Sequence, residues 1–148
     1  MTDIGIPDGE RVVIDTPAFI YFLENHPQYR PLAAELFTRV ESGRLSALAS
    51  VLVLAELLVP YHQQGDLAAA SGLSAAIRSI GNLAVKPVTA SIAERASFLR
   101  ARYGITAFDA VHAATGLLGS VGWLVTNDAK LKRVAQENVK VWLFDEHL

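Results

Sequence analysis

The sequence predicts one α/β domain, a sandwich of helices around a mostly parallel sheet of about four to five strands. Short β-branched and apolar runs alternate along the chain with longer segments whose apolar residues recur at helical spacing. This alternation is typical of a parallel sheet covered by helices. The 148 residues contain no internal repeat and no linker, so we expect a single domain over residues 1–148.

Five short apolar runs predict the strands. They cover residues 11–14, 45–49, 83–88, 122–125 and 139–144. The first run is β-branched and ends at an aspartate. Pro87 must lie at the end or edge of the third strand, because proline cannot donate a hydrogen bond to a sheet. We expect the last strand at an edge.

Seven segments predict helices. They cover residues 18–24, 28–42, 51–64, 66–81, 91–102, 106–118 and 129–136. The first follows Pro17, which is well tolerated just inside a helix start, and Gly43 and Gly104 end two of the others. Ser50 is a plausible N-cap for the third segment, in which Pro60 predicts a kink.

Composition restricts the possible functions. Apolar residues make up 51% of the chain and charged residues 19%, which is typical of a compact domain. The absence of cysteine excludes disulfides, zinc–thiolate sites and thiol catalysis, and suits the reducing cytoplasm, where we expect this protein. We expect neither a secretory signal nor a membrane span of roughly 20 apolar residues. With a net charge of −2, any contact with nucleic acid must be local.

Four acids interrupt or close apolar stretches, where a carboxylate is costly to keep. They are Asp15, Glu56, Asp109 and Asp128. Ligands of parallel sheets gather beyond the carboxyl ends of the strands. Asp15 and Asp128 follow predicted strands, and Glu56 and Asp109 lie within about two turns of the start of helices that begin near strand ends. We therefore expect the four side chains to converge on one rim.

Each acid also has an ordinary structural explanation. Asp15 could cap the helix that follows it, and Asp128 could close a turn. Thr106 and Asp109 have the spacing of a capping box. Glu56 has apolar neighbours three and four residues away, so it could be a buried acid held by an arginine or by backbone amides.

The set as a whole indicates a divalent cation. Two unit charges about 4 Å apart repel by ~4 kcal/mol at an effective dielectric of 20. Several such repulsions rival a small domain's stability of roughly 5–15 kcal/mol, so a cluster must take up protons or cations. Oxygen ligands suit Mg²⁺ or Mn²⁺, ions that promote hydrolysis of phosphodiesters.

Four segments, in this order and spacing, resemble the PIN-domain ribonucleases, and most closely the VapC-type toxins of bacterial toxin–antitoxin pairs. They are VIDTPAFIYFLE, SVLVLAELL, YGITAFDAVHAATGLL and LVTNDAKLKRV, and the resemblance runs from about Arg11 to Asp145. It implies a parallel α/β/α sandwich with an acidic Mg²⁺ or Mn²⁺ site that cleaves single-stranded RNA. By position, the catalytic and metal-binding acids of the family fall on Asp15, Glu56, Asp109 and Asp128.

The resemblance also suggests supporting residues. Thr126 and Asn127 complete the motif of the last acid. The family often has an asparagine shortly after its first aspartate; this chain has none, and Thr16 could supply that polar contact. Three basic residues follow the last acid and are candidates for contacts with RNA phosphates: Lys130, Lys132 and Arg133. They could equally be the solvent-exposed face of a helix. We expect His112, one turn from Asp109, to pack or hydrogen-bond rather than to ligate.

The family implies a homodimer and, for a toxin, a small antitoxin partner in addition to the RNA substrate. Helix 66–81 is rich in small residues that allow close approach, and Phe19, Tyr21 and Phe22 could line a hydrophobic groove, although core packing explains both features equally well.

Other classes of protein with acids at strand ends fit less well. Phospho-aspartate receivers and haloacid-dehalogenase-like phosphatases need acids that this chain lacks near its first strand. The glycines at 116, 119 and 122 follow a helix and do not match a dinucleotide fingerprint. The alternative is a non-catalytic RNA-binding or assembly module.

Overall fold

A computed structural model describes residues 2–148 and contains one five-stranded sheet, in which all neighbouring strands are parallel. The strands are β1 (Arg11–Ile14), β2 (Ser46–Ser50), β3 (Leu83–Lys86), β4 (Trp123–Thr126) and β5 (Lys140–Leu143). Their order across the sheet is β3-β2-β1-β4-β5. The predicted parallel sheet is confirmed, and its last strand lies at an edge as expected.

Seven α-helices connect and cover the strands. They are α1 (Thr16–Leu23), α2 (Arg30–Glu41), α3 (Leu52–Leu57), α4 (Val59–Gln63), α5 (Leu67–Arg78), α6 (Ala90–Tyr103) and α7 (Ala107–Leu118). Two 3₁₀ helices flank β5, at Ala129–Glu137 and Phe144–His147. No described helix combines the length and apolarity that crossing a membrane requires.

The core has two parts, one on each face of the sheet. Side chains of a strand alternate between faces, so Val12 and Ile14 join one part while Val13 joins the other. The first part packs against α1, α2, α3 and α5, and the second against α6 and α7. The predicted α/β/α sandwich is therefore confirmed, with β1 at its centre and Val12, Val13 and Ile14 buried.

The predicted kinked helix at 51–64 is two helices. The first ends at Leu57, before the proline itself. Pro60 has no N–H to donate to the carbonyl of Glu56, four residues earlier, and its ring crowds that carbonyl. Leu58, whose backbone angles remain helical, separates α3 from α4 two residues after Glu56.

Two predicted elements near the C-terminus also differ. The segment after Asp128 is a 3₁₀ helix, and the last strand stops at Leu143, one residue before its predicted end. Phe144 instead begins the second 3₁₀ helix, where its ring is fully buried against Trp142 and Tyr21.

Candidate functional site

Asp15 stands at the carboxyl end of the central strand and both caps a helix and faces the other acids. Its Oδ1 accepts a hydrogen bond from the Thr16 amide at 2.8 Å, which caps α1. Its Oδ2 accepts one from the Thr126 hydroxyl at 2.8 Å. Asp15 is only 4% exposed, and this burial raises its pKa, against the opposing effects of His112 and Thr126. The capping explanation and the predicted position at the rim are thus both correct.

Glu56 lies on α3 and is held by a histidine and a threonine rather than by an arginine. Its Oε1 accepts a hydrogen bond from the Thr16 hydroxyl at 2.9 Å and lies 3.0 Å from His112 Nε2. Partial burial raises the pKa of Glu56, but the bonds from His112 and Thr16 outweigh that effect and leave the pKa below its ordinary value. One third of the side chain remains exposed, at 33%.

His112 joins the first two acids from the opposite layer of the sandwich. Its Nε2 also lies 3.5 Å from Oδ1 of Asp15, and the residue is 1% exposed. Because a carboxylate only accepts, Nε2 must carry the proton, and the buried Nδ1 has no partner among residues 2–148. Burial lowers the pKa of His112, yet the bond to Glu56 and the nearby negative charges raise it overall. In the sequence, the only signal for this bridging role of His112 is its spacing of one helical turn from Asp109.

Asp109 and Asp128 form the second half of the acidic rim. The Asp109 amide donates to the Thr106 hydroxyl at 3.3 Å, so Thr106 caps α7 as the sequence suggested. Asp128 caps the 3₁₀ helix through a bond from the Lys130 amide at 2.9 Å. Half-burial raises the pKa of Asp109, and the negative charges of Asp15 and Asp128 raise it further. The two halves therefore repel one another electrostatically.

The two predicted polar neighbours of Asp128 behave differently. The Thr126 hydroxyl donates to Asp15 and accepts from the Asp128 amide at 3.2 Å, so it ties the two strand ends together. Asn127 turns away from the acids. Its side chain donates to the Tyr21 hydroxyl at 2.9 Å and accepts from the Asp145 amide at 2.9 Å, so it fixes the second 3₁₀ helix instead.

With this geometry in place, comparison with known proteins decides the family. The family model described as the PIN domain matches residues 12–137. The chain belongs to the PIN domain family. This match runs from within β1 to the end of the 3₁₀ helix after Asp128, and all four acids lie within it. The comparison with curated proteins gave no match.

Several solved structures share this fold. FitAcB from Neisseria gonorrhoeae is 20% identical with a TM-score of 0.69, and the alignment covers 93% of this chain and 99% of that one. VapBC2 from Rickettsia felis, bound to a promoter DNA fragment, is 20% identical with a TM-score of 0.65, covering 88% and 96%. A Klebsiella pneumoniae toxin–antitoxin complex is 19% identical with a TM-score of 0.65, covering 88% and 94%. At these identities the likeness establishes the fold alone.

The donor chemistry of the PIN domain's acidic rim fits a hard divalent cation. All four groups are carboxylates, and mutual repulsion at Asp109 is of the kind that a cation relieves. The Thr126 hydroxyl links Asp15 to the Asp128 amide, whereas Glu56 is held by Thr16 and His112. Within residues 2–148, no three His, Cys, Asp or Glu side chains form a group that could hold a metal ion as placed.

The three predicted RNA-contacting cations differ in how free they are. Lys132 forms an ion pair with Glu146, and the Arg133 guanidinium donates to the Tyr103 carbonyl at 2.9 Å. Lys130 is exposed, and its ammonium forms no ion pair within the described part of the chain. Lys130 is therefore the best placed of the three to meet a solvent-borne anion.

The predicted aromatic groove on the first helix exists in part. Phe19 and Phe22 line a pocket of about 260 Å³ between α1, α2 and α5, together with Leu73. Tyr21 does not line it, because its ring packs against Tyr29 and Phe144 on another side of α1. The groove is thus a mainly apolar surface separate from the acids.

Proposed function

We propose that this PIN domain is a metal-dependent endoribonuclease that hydrolyses phosphodiester bonds of single-stranded RNA. The observation that carries the proposal is the charge relationship at the rim. Asp109 is half-buried with the charges of Asp15 and Asp128 close enough to raise its pKa, on the edge of the sheet where ligands of parallel folds bind. Carboxylates without a compensating arginine are suited to a cation.

In this proposal Asp15, Glu56 and Asp109 hold the principal Mg²⁺ or Mn²⁺, and Asp128 holds a second ion or an ordered water. When bound, such ions activate water and stabilise the charge that develops at a phosphodiester during hydrolysis. Thr126 and the Thr16 amide donate to Asp15 and so favour its ionised form. His112 and the Thr16 hydroxyl fix one oxygen of Glu56. A protein nucleophile is not required.

RNA, which is negatively charged, would approach a protein whose own net charge is also slightly negative. The net charge of −2 gives no bulk attraction, so local cations must position the backbone. Lys130 lies two residues after Asp128 and is the main candidate for a phosphate contact. Lys132 and Arg133 would have to exchange existing bonds for phosphate, so we assign them a secondary part.

We further propose that the protein is the toxin of a toxin–antitoxin pair and acts in the cytoplasm as a homodimer. Support comes from a structural neighbour from Klebsiella pneumoniae, which is described as a toxin–antitoxin complex. A small antitoxin would occupy the apolar groove of Phe19, Phe22 and Leu73. The small residues of α5 would allow close packing of a second copy.

The proposal is tested by incubating the purified protein with a single-stranded RNA in Mn²⁺ or in chelator. We expect cleavage with Mn²⁺, none with chelator, and none by Asp15→Asn. Glu94→Gln, which changes an exposed side chain of α6, should cleave normally. Cleavage that persists in chelator or in Asp15→Asn excludes the mechanism. RNA that binds to the wild-type protein with Mn²⁺ and is never cut favours the alternative, a non-catalytic RNA-binding or assembly module.

A further inference from the structure

A second pocket, of about 210 Å³, opens directly beside Glu56 and is not used by the proposed cation site. It lies between the end of α1 and the helix pair α3 and α4. We call it the Glu24 pocket. The residues that line it include Ile20, Glu24, Glu56, Pro60, Tyr61 and Gln64. Glu56 is shared with the acidic rim, so whatever fills the pocket lies next to the reacting phosphodiester.

One wall of the pocket comes from the end of α3 and from α4. Tyr61 of α4 and Gln64, its C-cap, are three residues apart and therefore share one side of the helix. Glu24, the C-cap of α1, lines the pocket from the other side. Glu24 and Gln64 are exposed and Tyr61 is half-buried, so all three line the pocket within reach of a ligand from solvent. Three polar groups therefore stand ready for a ligand.

The charge of the Glu24 pocket excludes a phosphate. No lysine or arginine is among its lining residues, whereas two carboxylates are. A ligand must therefore present hydrogen-bond donors to Glu24 and a flat apolar surface to Tyr61, Ile20 and Pro60. Single-stranded RNA is recognised in this way, with unstacked bases placed against aromatic rings and hydrogen-bonded along their edges.

Among the four RNA bases, guanine matches best. Its Watson–Crick edge carries two adjacent donors, N1–H and the N2 amino group, which one carboxylate accepts together. Adenine and cytosine place a ring-nitrogen acceptor beside their single amino group, and uracil flanks its one N–H with two carbonyls. Each would set a lone pair against the Glu24 carboxylate. The Gln64 amide can donate to guanine O6, which the other purine lacks.

We propose that the Glu24 pocket binds a guanine base of the RNA adjacent to the cleaved bond, and that Glu24 determines this preference. The inference rests on the proposed ribonuclease function. A well-formed bidentate contact of this kind discriminates between bases by about tenfold or more.

The first test maps cleavage sites on an RNA of random sequence with Mn²⁺. We expect guanine at one fixed position relative to the cut, preferred about tenfold or more. Glu24→Gln removes the preference, and Tyr61→Ala weakens cleavage at guanine sites. Glu35→Gln, which removes the same charge from α2, and Gln63→Ala, beside the pocket on α4, retain it. Cleavage without a guanine preference, or with the same preference in Glu24→Gln, overturns the proposal.

The second test separates this inference from the proposed nuclease activity. Guanosine, which has no phosphate to be cut, is titrated into the wild-type protein and followed by two-dimensional NMR. Selective shifts of the Gln64 side-chain amide by guanosine, absent with adenosine, cytidine and uridine and lost in Glu24→Gln, support the pocket even if no RNA is cleaved. No selective shift overturns it. So does a response to arginine amide but not to guanosine, which assigns the pocket to a basic side chain of a protein partner.

Discussion

Nε2 of His112 lies 3.0 Å from Oε1 of Glu56, so a buried ring on α7 holds a carboxylate that α3 presents from the other layer of the sandwich. The same nitrogen is 3.5 Å from Asp15 Oδ1. Three elements that are far apart in sequence thus meet at one donor. This bridge explains how an acid surrounded by apolar neighbours on α3 is accommodated without an arginine.

Replacement of this histidine therefore removes both a counter-group and core volume. We expect His112→Ala to lower the free energy of unfolding by about 3 kcal/mol, because Glu56 and Asp15 lose a donor and a cavity remains. Urea unfolding measures the change. His62→Ala, an exposed histidine on α4, is the control and should change stability by less than about 0.5 kcal/mol. Equal effects of the two substitutions would contradict the bridging role.

The sequence identified the acids but not their connections. Asp15, Glu56, Asp109 and Asp128 are recognisable because a charge within an apolar run is unusual, and strand ends are where such residues can meet. The partners of those acids depend on packing between layers, which no local pattern encodes. His112 on α7 hydrogen-bonds, as the sequence predicts, but its partner Glu56 lies on α3. Asn127 turns to Tyr21 and Asp145, although its motif predicts a role beside Asp128.

Gly116 on α7 allows the helix to approach the central strand. A Cβ atom there would lie 2.7 Å from Cβ of Val13 and 3.0 Å from Cγ2 of Val121. We expect Gly116→Ala to destabilise the protein by about 1–3 kcal/mol through this overlap. Gly72→Ala on α5, where a Cβ meets nothing within 4 Å, should stabilise by about 0.5–1 kcal/mol. Thermal unfolding of both variants checks the close approach of α7 to β1. The melting temperature should fall in Gly116→Ala and rise in Gly72→Ala.

The same contact shows why the fold was more predictable than its details. Short apolar runs separated by amphipathic segments leave a parallel sheet as the natural solution, and its five strands are found at or within a few residues of their predicted positions. The close fit of Gly116 on Val13 depends on three-dimensional packing and has no local signal. The split at Leu58 was missed because the effect of Pro60 reaches back to the preceding turn.

Asp8 anchors the segment that precedes β1 and should contribute to acid sensitivity. The nearly buried Arg39 donates to Asp8 Oδ1 at 2.7 Å and also to the Ile6 carbonyl. The Arg39 bond is the main cause that holds the pKa of Asp8 below its ordinary value of 3.8. A lowered pKa means that this stabilisation is present above pH 3.8 and is lost as the pH falls below it.

We therefore expect the urea midpoint of the wild-type protein to fall more steeply on acidification below about pH 4 than that of Asp8→Asn. At pH 7 the variant should already be the less stable of the two. Asp3→Asn is the matched control, because that carboxylate bonds only to the Gly5 amide. Parallel pH profiles for the wild-type protein and Asp8→Asn would show that the Arg39 contact does not anchor the segment.

The most direct test of the acidic site is the melting temperature of wild type and Asp109→Asn, each with Mn²⁺ or with chelator. Because ionised Asp109 is disfavoured by burial and by Asp15 and Asp128, its neutralisation should raise metal-free stability by roughly 1 kcal/mol at most after solvent screening. That corresponds to about 2–4 °C or less. Mn²⁺ at about 100 times its dissociation constant should stabilise the wild type by about 2.7 kcal/mol. We predict that Asp109→Asn loses this response while Glu94→Gln keeps it; an unchanged Mn²⁺ response in Asp109→Asn would contradict the site.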